Sequence, residues 1–206
     1  MEGKGELRPA PLEERNEGSV TEARPASSAI VMRDAPGAPE VLLVQRNPEA
    51  RFMGGAWVFP GGGVKPIDAG PAATARRELE EEAELRLSSD DELVPFSRWI
   101  TPIDVKVRFD TWFFLARAPD GVEGAPDGSE TVDLRWLSPH DALEAGRRGE
   151  LLLVFPTIKH LEQLAEITSV AEGLAQARGR EVEPVLPRVV GEGADTRVLL
   201  PGDEGY

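Results

Sequence analysis

Short apolar runs separated by turn-forming residues dominate the first third of the chain. Residues 28–33 and 40–46 are two such runs, and the segment 34–39 between them holds one glycine and two prolines. Short apolar runs bounded by turn residues are typical of buried strands, so this pair predicts a hairpin. Residues 56–59 form a third apolar segment. It stops at a proline and three glycines, since neither residue type continues a strand or a helix cheaply.

The pattern changes to helical spacing after residue 70. Pro71 suits the first turn of a helix, and residues 72–87 are rich in strong helix formers. Spacings of three and four residues predict a narrow packing face, made mostly of small side chains: Ala72, Ala75, Leu79, Ala83 and Arg86.

The second half of the chain alternates between strand and helix patterns. Three further strands are predicted: 93–101, 105–117 and 131–137. Ser138 is suited to cap a helix that continues to about residue 146, with Pro139 as its first residue. A longer helix is predicted over residues 157–178. Its apolar side needs burial and comprises Leu161, Leu164, Ile167, Val170, Ala171 and Leu174.

The order of these elements predicts an α+β fold, an α/β/α sandwich, rather than a regular βαβ repeat. A chain of 206 residues is long enough for one domain with a substantial core, which we place at residues 26–178. Residues 1–25 are polar and aperiodic, and we expect a mobile tail there. Residues 179–206 contain three prolines and one predicted strand at 197–200, and we interpret them as a C-terminal extension.

Composition and charge exclude several classes of protein. The chain has 23 Lys and Arg against 37 Asp and Glu, and this net charge of −14 disfavours a non-specific nucleic-acid binder. The absence of cysteine excludes disulfides, thiolate nucleophiles and Fe–S clusters. We find no signal-peptide pattern and no apolar run of about 18 residues, so we expect a cytoplasmic protein without a membrane partner. His140 and His160 are the only histidines, and we interpret both as structural.

The segment 77–82 carries the most informative chemistry. Its sequence RELEEE, in one-letter code, places Glu78, Glu81 and Glu82 at positions i, i+3 and i+4 of one helix face. Like charges at this spacing repel, and a hard cation such as Mg²⁺ or Mn²⁺ removes that repulsion. The alternative is a solvated face with ion pairs such as Arg77–Glu81. The glycine-rich loop 61–63 favours the metal interpretation, because its backbone can approach a substrate closely.

Residues 61–85 together resemble the Nudix box. The box reads Gly, five residues, Glu, seven residues, then Arg-Glu-apolar-any-Glu-Glu-any-Gly-apolar. Residues 77–85 fit its second half except at Glu84, where the box has glycine. Because that glycine usually ends the helix in a left-handed conformation, Glu84 predicts either a longer helix or a strained exit.

The first half of the box can be counted in two ways. Counting from Gly62 puts Asp68 at the first acidic position and adds one loop residue before Arg77. Counting from Gly63 keeps both spacings but puts Ala69 at that position. We prefer the first count because it retains an acidic residue.

The resemblance implies a Nudix fold with a mixed central sheet flanked by helices, and hydrolysis of a phosphoanhydride. It further implies that Glu78, Glu81 and Glu82 hold one to three Mg²⁺ or Mn²⁺ ions. Arg77, Glu78 and Glu81 are the predicted catalytic residues, with Arg77 orienting a glutamate by a charge-assisted hydrogen bond. Glu78 is one candidate base. The resemblance also allows a base from a loop outside the box, and five candidates stay open: Asp104, Asp110, Glu123, Asp127 and Glu130.

The segment before the box is similar to that of Nudix coenzyme A diphosphatases. The spacings of an Arg, Arg, Gly and Phe-Pro-Gly-Gly pattern match, and they give five predicted substrate-binding residues: Arg46, Arg51, Phe59, Gly61 and Gly62. Residues 99–102 and 108–114 also resemble the branch with peroxisomal CoA or acyl-CoA enzymes. The two arginines could bind phosphates, and Trp57 or Trp112 could stack on adenine.

Other functions remain open at this stage. ADP-ribose, dinucleotides and oxidised nucleotides are alternative substrates, and a non-catalytic ligand-binding Nudix module is an alternative function. The apolar side of the predicted helix 157–178 either packs on its own domain or forms a homodimer contact. We favour the homodimer contact, because the family is often dimeric. Apart from a second copy of the chain, the expected partner is a small nucleotide-derived molecule.

Overall fold

A computed structural model describes residues 16, 18, 20–191 and 196–206. The strands are β1 (Arg24–Arg33), β2 (Glu40–Arg46), β3 (Trp57–Val58), β4 (Gly61–Gly63), β5 (Val94–Ile100), β6 (Phe109–Arg117), β7 (Thr131–Leu137), β8 (Pro184–Val185), β9 (Arg188–Val190) and β10 (Arg197–Leu199). The α-helices are α1 (Pro71–Ala83), α2 (Pro139–Arg147), α3 (Phe155–Leu164) and α4 (Val170–Arg178).

The central sheet is mixed and is organised around β1. This strand pairs in parallel with β6 along its length, from Arg24 opposite Phe109 to Met32 opposite Arg117. Its first half also pairs antiparallel with β4, and its last two residues pair antiparallel with β2. β2 continues to β3 and β7, while β5 and β8 follow β6 on the other side. The predicted hairpin of β1 and β2 is therefore confirmed.

Helices cover both faces of the sheet, so the predicted α+β sandwich is confirmed. On one face, Ala75 and Leu79 of α1 pack with Ala29 and Val31 of β1. On the other face, Ile30 and Met32 belong to the cluster that includes residues of α2, α3 and α4. A strand that is buried on both faces has a continuous run of apolar residues, whereas a strand with one exposed face alternates apolar and polar residues. Burial on both faces therefore explains the pattern of residues 28–33.

α1 ends at Ala83 rather than near residue 87. Glu84 adopts a left-handed conformation with φ of 53°, and its backbone N–H donates to the carbonyl of Glu80. Of the two expectations for this position, the strained exit is the one observed. The chain must turn here because Ala83, Leu85 and Leu87 are all buried in the core on the α1 side of the sheet.

The helix predicted over 157–178 is two helices, α3 and α4. Thr168 and Ser169 lie at the break, since their hydroxyl groups compete with the helix for backbone hydrogen bonds. The Ser169 hydroxyl caps α4 by accepting from the backbone N–H of Glu172 at 3.2 Å. Apolar residues on either side of the break fold into the chain's own core: Leu161, Leu164, Ile167, Val170 and Leu174. Only Ala171 of the predicted contact residues is exposed. Packing on the same domain therefore accounts for the pattern, and the homodimer stays a prediction.

Segments outside the predicted domain boundaries of residues 26–178 also form strands. β1 begins at Arg24, and most of the predicted tail 1–25 lies outside the described residues. From the predicted extension, β8 pairs in parallel with β5, and β9 and β10 form a separate hairpin. The strand predicted at 197–200 is thus confirmed as β10. No helix in the described part of the chain has the length and apolar character needed to span a membrane.

Candidate active site

The glycine strand β4 and helix α1 hold two glutamates against each other. The carboxylate of Glu82 accepts a hydrogen bond from the backbone N–H of Gly61 at 2.8 Å. Glu78 lies so close to Gly62 that a Cβ there would stand 2.6 Å from the Glu78 carboxylate. Glu78 and Glu82 are both buried, with 6% and 4% of their surface exposed. A side chain at Gly62 would therefore displace the Glu78 carboxylate.

Burial makes these carboxylates unusual acids. Burial raises the pKa of Glu82 to about 7, opposed by the hydrogen bond from Gly61 and reinforced by the charge of Glu78. Burial also raises the pKa of Glu78, although the neighbouring guanidinium of Arg77 opposes it. Two buried like charges of this kind are stabilised when a cation is bound between or beside them.

Arg77 ties the loop before α1 to the helix. Its guanidinium donates to both carboxylate oxygens of Asp68 at 2.9 Å, to Glu78 at 2.6 Å and to Glu81 at 2.8 Å. Asp68 also accepts from the hydroxyl of Thr74 at 2.9 Å. The Arg77 guanidinium holds the pKa of Asp68 well below its usual range, and Asp68 in turn raises the pKa of Arg77. This pair favours the motif count from Gly62, which places Asp68 at the acidic position.

Glu81, the third glutamate of the cluster, is exposed rather than buried. The Glu81 carboxylate accepts from the Lys65 ammonium at 3.0 Å and from Arg77, and its side chain is 48% exposed. Within the described residues, no three acidic or histidine side chains already converge on one point. The donor set still fits Mg²⁺ or Mn²⁺, because all donors are oxygens and Glu78 and Glu82 carry an unfavourable buried charge. The exposed pair Lys65–Glu81 is weak, so releasing Lys65 costs little, while Arg77 keeps Glu81 next to Glu78.

A cleft of about 2440 Å³ connects these carboxylates to the predicted substrate-binding residues. It is lined by all of the predicted site residues except one: Arg46, Arg51, Phe59, Gly61, Gly62, Glu78, Glu81 and Glu82. The exception is Arg77, which is absent from the lining and contacts Glu78 and Glu81. The Phe59 ring is almost fully buried in the core, so its edge contributes shape rather than a polar contact.

The comparison with protein families matches the NUDIX domain to residues 23–155. That match covers more than half of the chain, and it includes the glycine strand, α1 and the cleft arginines. The chain belongs to the Nudix family. Its Nudix relatives include hydrolases, and the protein is a Nudix pyrophosphohydrolase.

Individual relatives of this Nudix protein differ in how much of it they share. Nudix hydrolase 7 of Caenorhabditis elegans is 26% identical over an alignment covering 92% of this chain and 77% of that protein. Acyl-coenzyme A diphosphatase NUDT19 of Homo sapiens is 33% identical, over 54% of this chain and 31% of that protein. Among solved structures, a NUDIX hydrolase from Alicyclobacillus acidocaldarius has a TM-score of 0.69 at 24% identity, covering 76% of this chain and 97% of that one. The Nudix fold is thereby confirmed.

The tryptophans proposed for adenine stacking lie outside the cleft of the Nudix domain. Trp57 is 2% exposed and lies in the core under the Arg135 guanidinium. Trp112 packs on the α1 side of the sheet with Arg98 and Phe114. Both residues are therefore structural, and that expectation was wrong.

Two phenylalanines line the Nudix cleft instead. Phe52 and Phe109 meet edge to face with centroids 5.5 Å apart, and the Arg24 guanidinium lies 5.0 Å from the centre of the Phe109 ring. Sequence reasoning missed this pair because the rings come from separate segments and meet only in the fold. For Phe52, the available signal in the sequence was its position next to Arg51, a predicted substrate-binding residue. Lys65 was also missed, although a basic residue two positions after the glycine strand was a usable signal.

The five base candidates are separated by their contacts. Asp110 is held by Arg98 in a two-bonded ion pair, and Glu123 pairs with Arg33 at the surface. Asp127 accepts backbone hydrogen bonds within its own turn from Ser129, Glu130 and Thr131. Asp104 and Glu130 line the cleft, and the Glu130 charge contributes to the raised pKa of Glu82. These two acids therefore stay as candidates, with Glu130 beside the buried carboxylates.

Proposed function

We propose that this Nudix pyrophosphohydrolase cleaves the pyrophosphate of a nucleoside diphosphate linked to a second group, with CoA or acyl-CoA as the substrate. The observation that carries the proposal is the continuous cleft that joins Glu78 and Glu82 to Arg46 and Arg51. Such a cleft can place a pyrophosphate between acidic residues that hold cations and arginines that bind phosphate oxygens.

Glu78, Glu81 and Glu82 would hold the divalent cation, for which we propose Mg²⁺ or Mn²⁺. When bound, the cation neutralises charge on the pyrophosphate and activates the attacking water. Arg77 acts as a positioning residue, since its bonds to Glu78, Glu81 and Asp68 determine where the first two carboxylates lie. Arg77 therefore contributes to hydrolysis through the carboxylates that it positions.

Glu130 is our proposed acceptor for the proton of the attacking water. It is exposed at the wall of the cleft, just before β7, and its charge acts on Glu82. Its backbone carbonyl accepts from the N–H of Asn47 at 2.8 Å, which holds the loop in place while the side chain stays accessible to solvent. A solvent-accessible carboxylate at the wall of the cleft can accept a proton in the transition state.

Two features support a CoA-type substrate over ADP-ribose or a dinucleotide. The first is the partial similarity to the human acyl-coenzyme A diphosphatase, which covers 54% of this chain. The second is that the cleft does not end at the arginines and the Phe52–Phe109 pair, but continues over apolar side chains such as Trp99 and Phe155. A ribose gains little there, whereas an arm with apolar groups is favoured.

The test is hydrolysis of a panel with Mg²⁺ or Mn²⁺: CoA, acetyl-CoA, ADP-ribose, NADH, a diadenosine polyphosphate and 8-oxo-dGTP. We expect CoA or acetyl-CoA to react fastest, with 3′,5′-ADP as one product by mass spectrometry, and no reaction in excess EDTA. A different fastest substrate would overturn the CoA proposal and leave the Nudix chemistry. If no compound is cleaved, the alternative of a ligand-binding module replaces the proposed activity.

A further inference from the structure

The hairpin of β9 and β10 forms part of the wall of the catalytic cleft. Val189 and Val198 stand opposite each other in its register, and both line the cleft together with Leu199. Trp99 and Phe155 line the same cleft, and their rings meet edge to face with centroids 6.2 Å apart. We call these five side chains the apolar lobe: Trp99, Phe155, Val189, Val198 and Leu199.

The hairpin is anchored at both of its ends, so its position is defined. β8, just before it, pairs with β5 and places Val185 opposite Trp99. After it, Leu200 packs against the main core, and the Tyr206 hydroxyl donates to the carbonyl of Leu186 at 2.7 Å. A two-stranded hairpin is only marginally stable by itself, so these contacts are what hold it beside the cleft.

The side chains of the hairpin differ between its two faces. Successive residues of a strand point in opposite directions, so Val189 and Val190 face opposite sides. Val189 lines the cleft, whereas its neighbour Val190 does not. Val198 is the cross-strand partner of Val189 and shares its cleft face, whereas Leu199 lines the cleft from the end of β10. All three residues are half-buried, which leaves part of their apolar surface available to a ligand.

We propose that the apolar lobe binds an acyl chain or similar apolar arm carried by the substrate beyond the cleaved pyrophosphate, and that Val189 and Val198 determine this selectivity. The inference rests on the proposed function and adds a subsite in which the hairpin of the C-terminal extension, outside the matched residues 23–155, supplies three of the five side chains. A cleft of about 2440 Å³ exceeds the roughly 300–1000 Å³ of an ordinary ligand pocket, so it has room for both the nucleotide and a long arm. Each methylene buried there strengthens binding by about fourfold.

The experiment compares CoA, hexanoyl-CoA and octanoyl-CoA by calorimetric binding without divalent cation, and by kcat/KM with Mg²⁺. The proteins are the full-length wild type, Val189→Asp, Val198→Asp and the matched control Val190→Asp. We expect the wild type and Val190→Asp to bind octanoyl-CoA at least about tenfold more tightly than CoA, which three buried methylenes would exceed. Val189→Asp and Val198→Asp should lose this preference, so that each variant binds octanoyl-CoA and CoA with affinities within about twofold of each other.

The outcomes separate this inference from the proposed function. If the acyl-CoAs bind no more tightly than CoA, or if Val189→Asp retains the full preference, then the apolar lobe is not an arm subsite. If binding follows the expected pattern but no CoA compound is cleaved, the subsite stands and the proposed activity fails. Should Val189→Asp fold poorly by circular dichroism, Val189→Ala replaces it, and the octanoyl preference should then fall by about fourfold or more.

Discussion

At the scale of single residues, the candidate active site contains carboxylates that the fold has removed from water. Glu82 and Glu78 lie one turn apart on α1, and both are buried against the glycine strand. The sequence pattern places all three glutamates on one helix face, but in the structure only Glu81 is exposed. The difference arises because β4 packs across the face of α1 that carries Glu78 and Glu82. Consequently the two buried glutamates combine a functional role with an electrostatic cost.

Replacing Glu82 by Gln should separate these two effects. We expect kcat to fall by more than about 100-fold, which exceeds the usual loss from an outer-shell partner of a metal site. The free energy of unfolding in EDTA at pH 8 should not decrease, because Gln keeps the shape and removes a buried charge that repels Glu78. Steady-state kinetics and urea unfolding measure the two quantities. Full turnover in Glu82→Gln would exclude it as a metal ligand, and Glu80→Gln is the control on the same helix.

The close approach at Gly62 gives a second prediction. Gly62→Ala should lower the unfolding free energy by about 1 kcal/mol, the low end of the cost of overpacking, because the new methyl would meet the Glu78 carboxylate at 2.6 Å and that flexible side chain can turn away. Displacement of Glu78 should also lower kcat strongly. Gly63→Ala is the matched control, since a Cβ there has no neighbouring atom within 4 Å. Equal stability and activity of the two variants would contradict the packing described here.

At the scale of elements, the end of α1 shows a local rule overridden by tertiary packing. The sequence has Glu84 where a glycine normally ends this helix, and the residue still adopts the left-handed conformation, at φ of 53°. Leu85 and Leu87 bury their side chains immediately after the turn, and that burial offsets the backbone strain. The helix therefore ends where the Nudix box requires it to end.

Restoring glycine at this position should stabilise the protein. Left-handed backbone costs an ordinary residue about 1–2 kcal/mol, and glycine loses about 0.5–1 kcal/mol of that gain through its greater freedom when unfolded. We expect Glu84→Gly to raise the free energy of unfolding by about 0.5–1 kcal/mol in chemical denaturation. Glu84→Ala keeps the strain and serves as the control. A Glu84→Gly protein less stable than Glu84→Ala would show that the turn is not strained.

At the scale of the whole molecule, His160 joins the helical layer to the sheet. It is fully buried on α3, its ring centre is 4.3 Å from that of Phe113, and its Nε2 lies 2.6 Å from the Ser97 hydroxyl oxygen. Burial lowers the pKa of His160 to about 3, with a smaller contribution from the charge of Arg180. The structural role expected for this residue agrees with its position among aromatic rings. His140, by contrast, is exposed on α2.

This burial makes stability depend on pH. The unfolded chain binds a proton at His160 below its ordinary pKa of 6.5, whereas the folded protein does so only near 3, so stability is full above 6.5 and falls as the pH is lowered. Within that window, we expect His160 to lower the free energy of unfolding by up to about 1.4 kcal/mol for each unit by which the pH falls. Urea unfolding at several pH values measures it. His160→Leu should be less stable at pH 7 but have a shallower slope, and His140→Gln should keep the wild-type slope.

Local sequence determined much of this protein. The residues of β2 and β7, the proline start of α1, the Ser138 cap and the Arg77 to Glu82 motif could all be predicted, because strand and helix periods and capping depend on neighbours within a few positions. The cleft arginines Arg46 and Arg51 could also be predicted, because their spacing is part of a pattern along the chain.

Only the tertiary structure decided which side chains share an environment. It buried Glu78 and Glu82, placed Trp57 in the core, packed Trp112 on the α1 side of the sheet, brought Phe52 against Phe109, and placed the β9–β10 hairpin beside the cleft. Each of these depends on contacts between segments far apart in sequence, and on which face of the sheet each element covers. Periodicity within one segment carries no information about its partner, so burial, pKa and the shape of the cleft follow from packing alone.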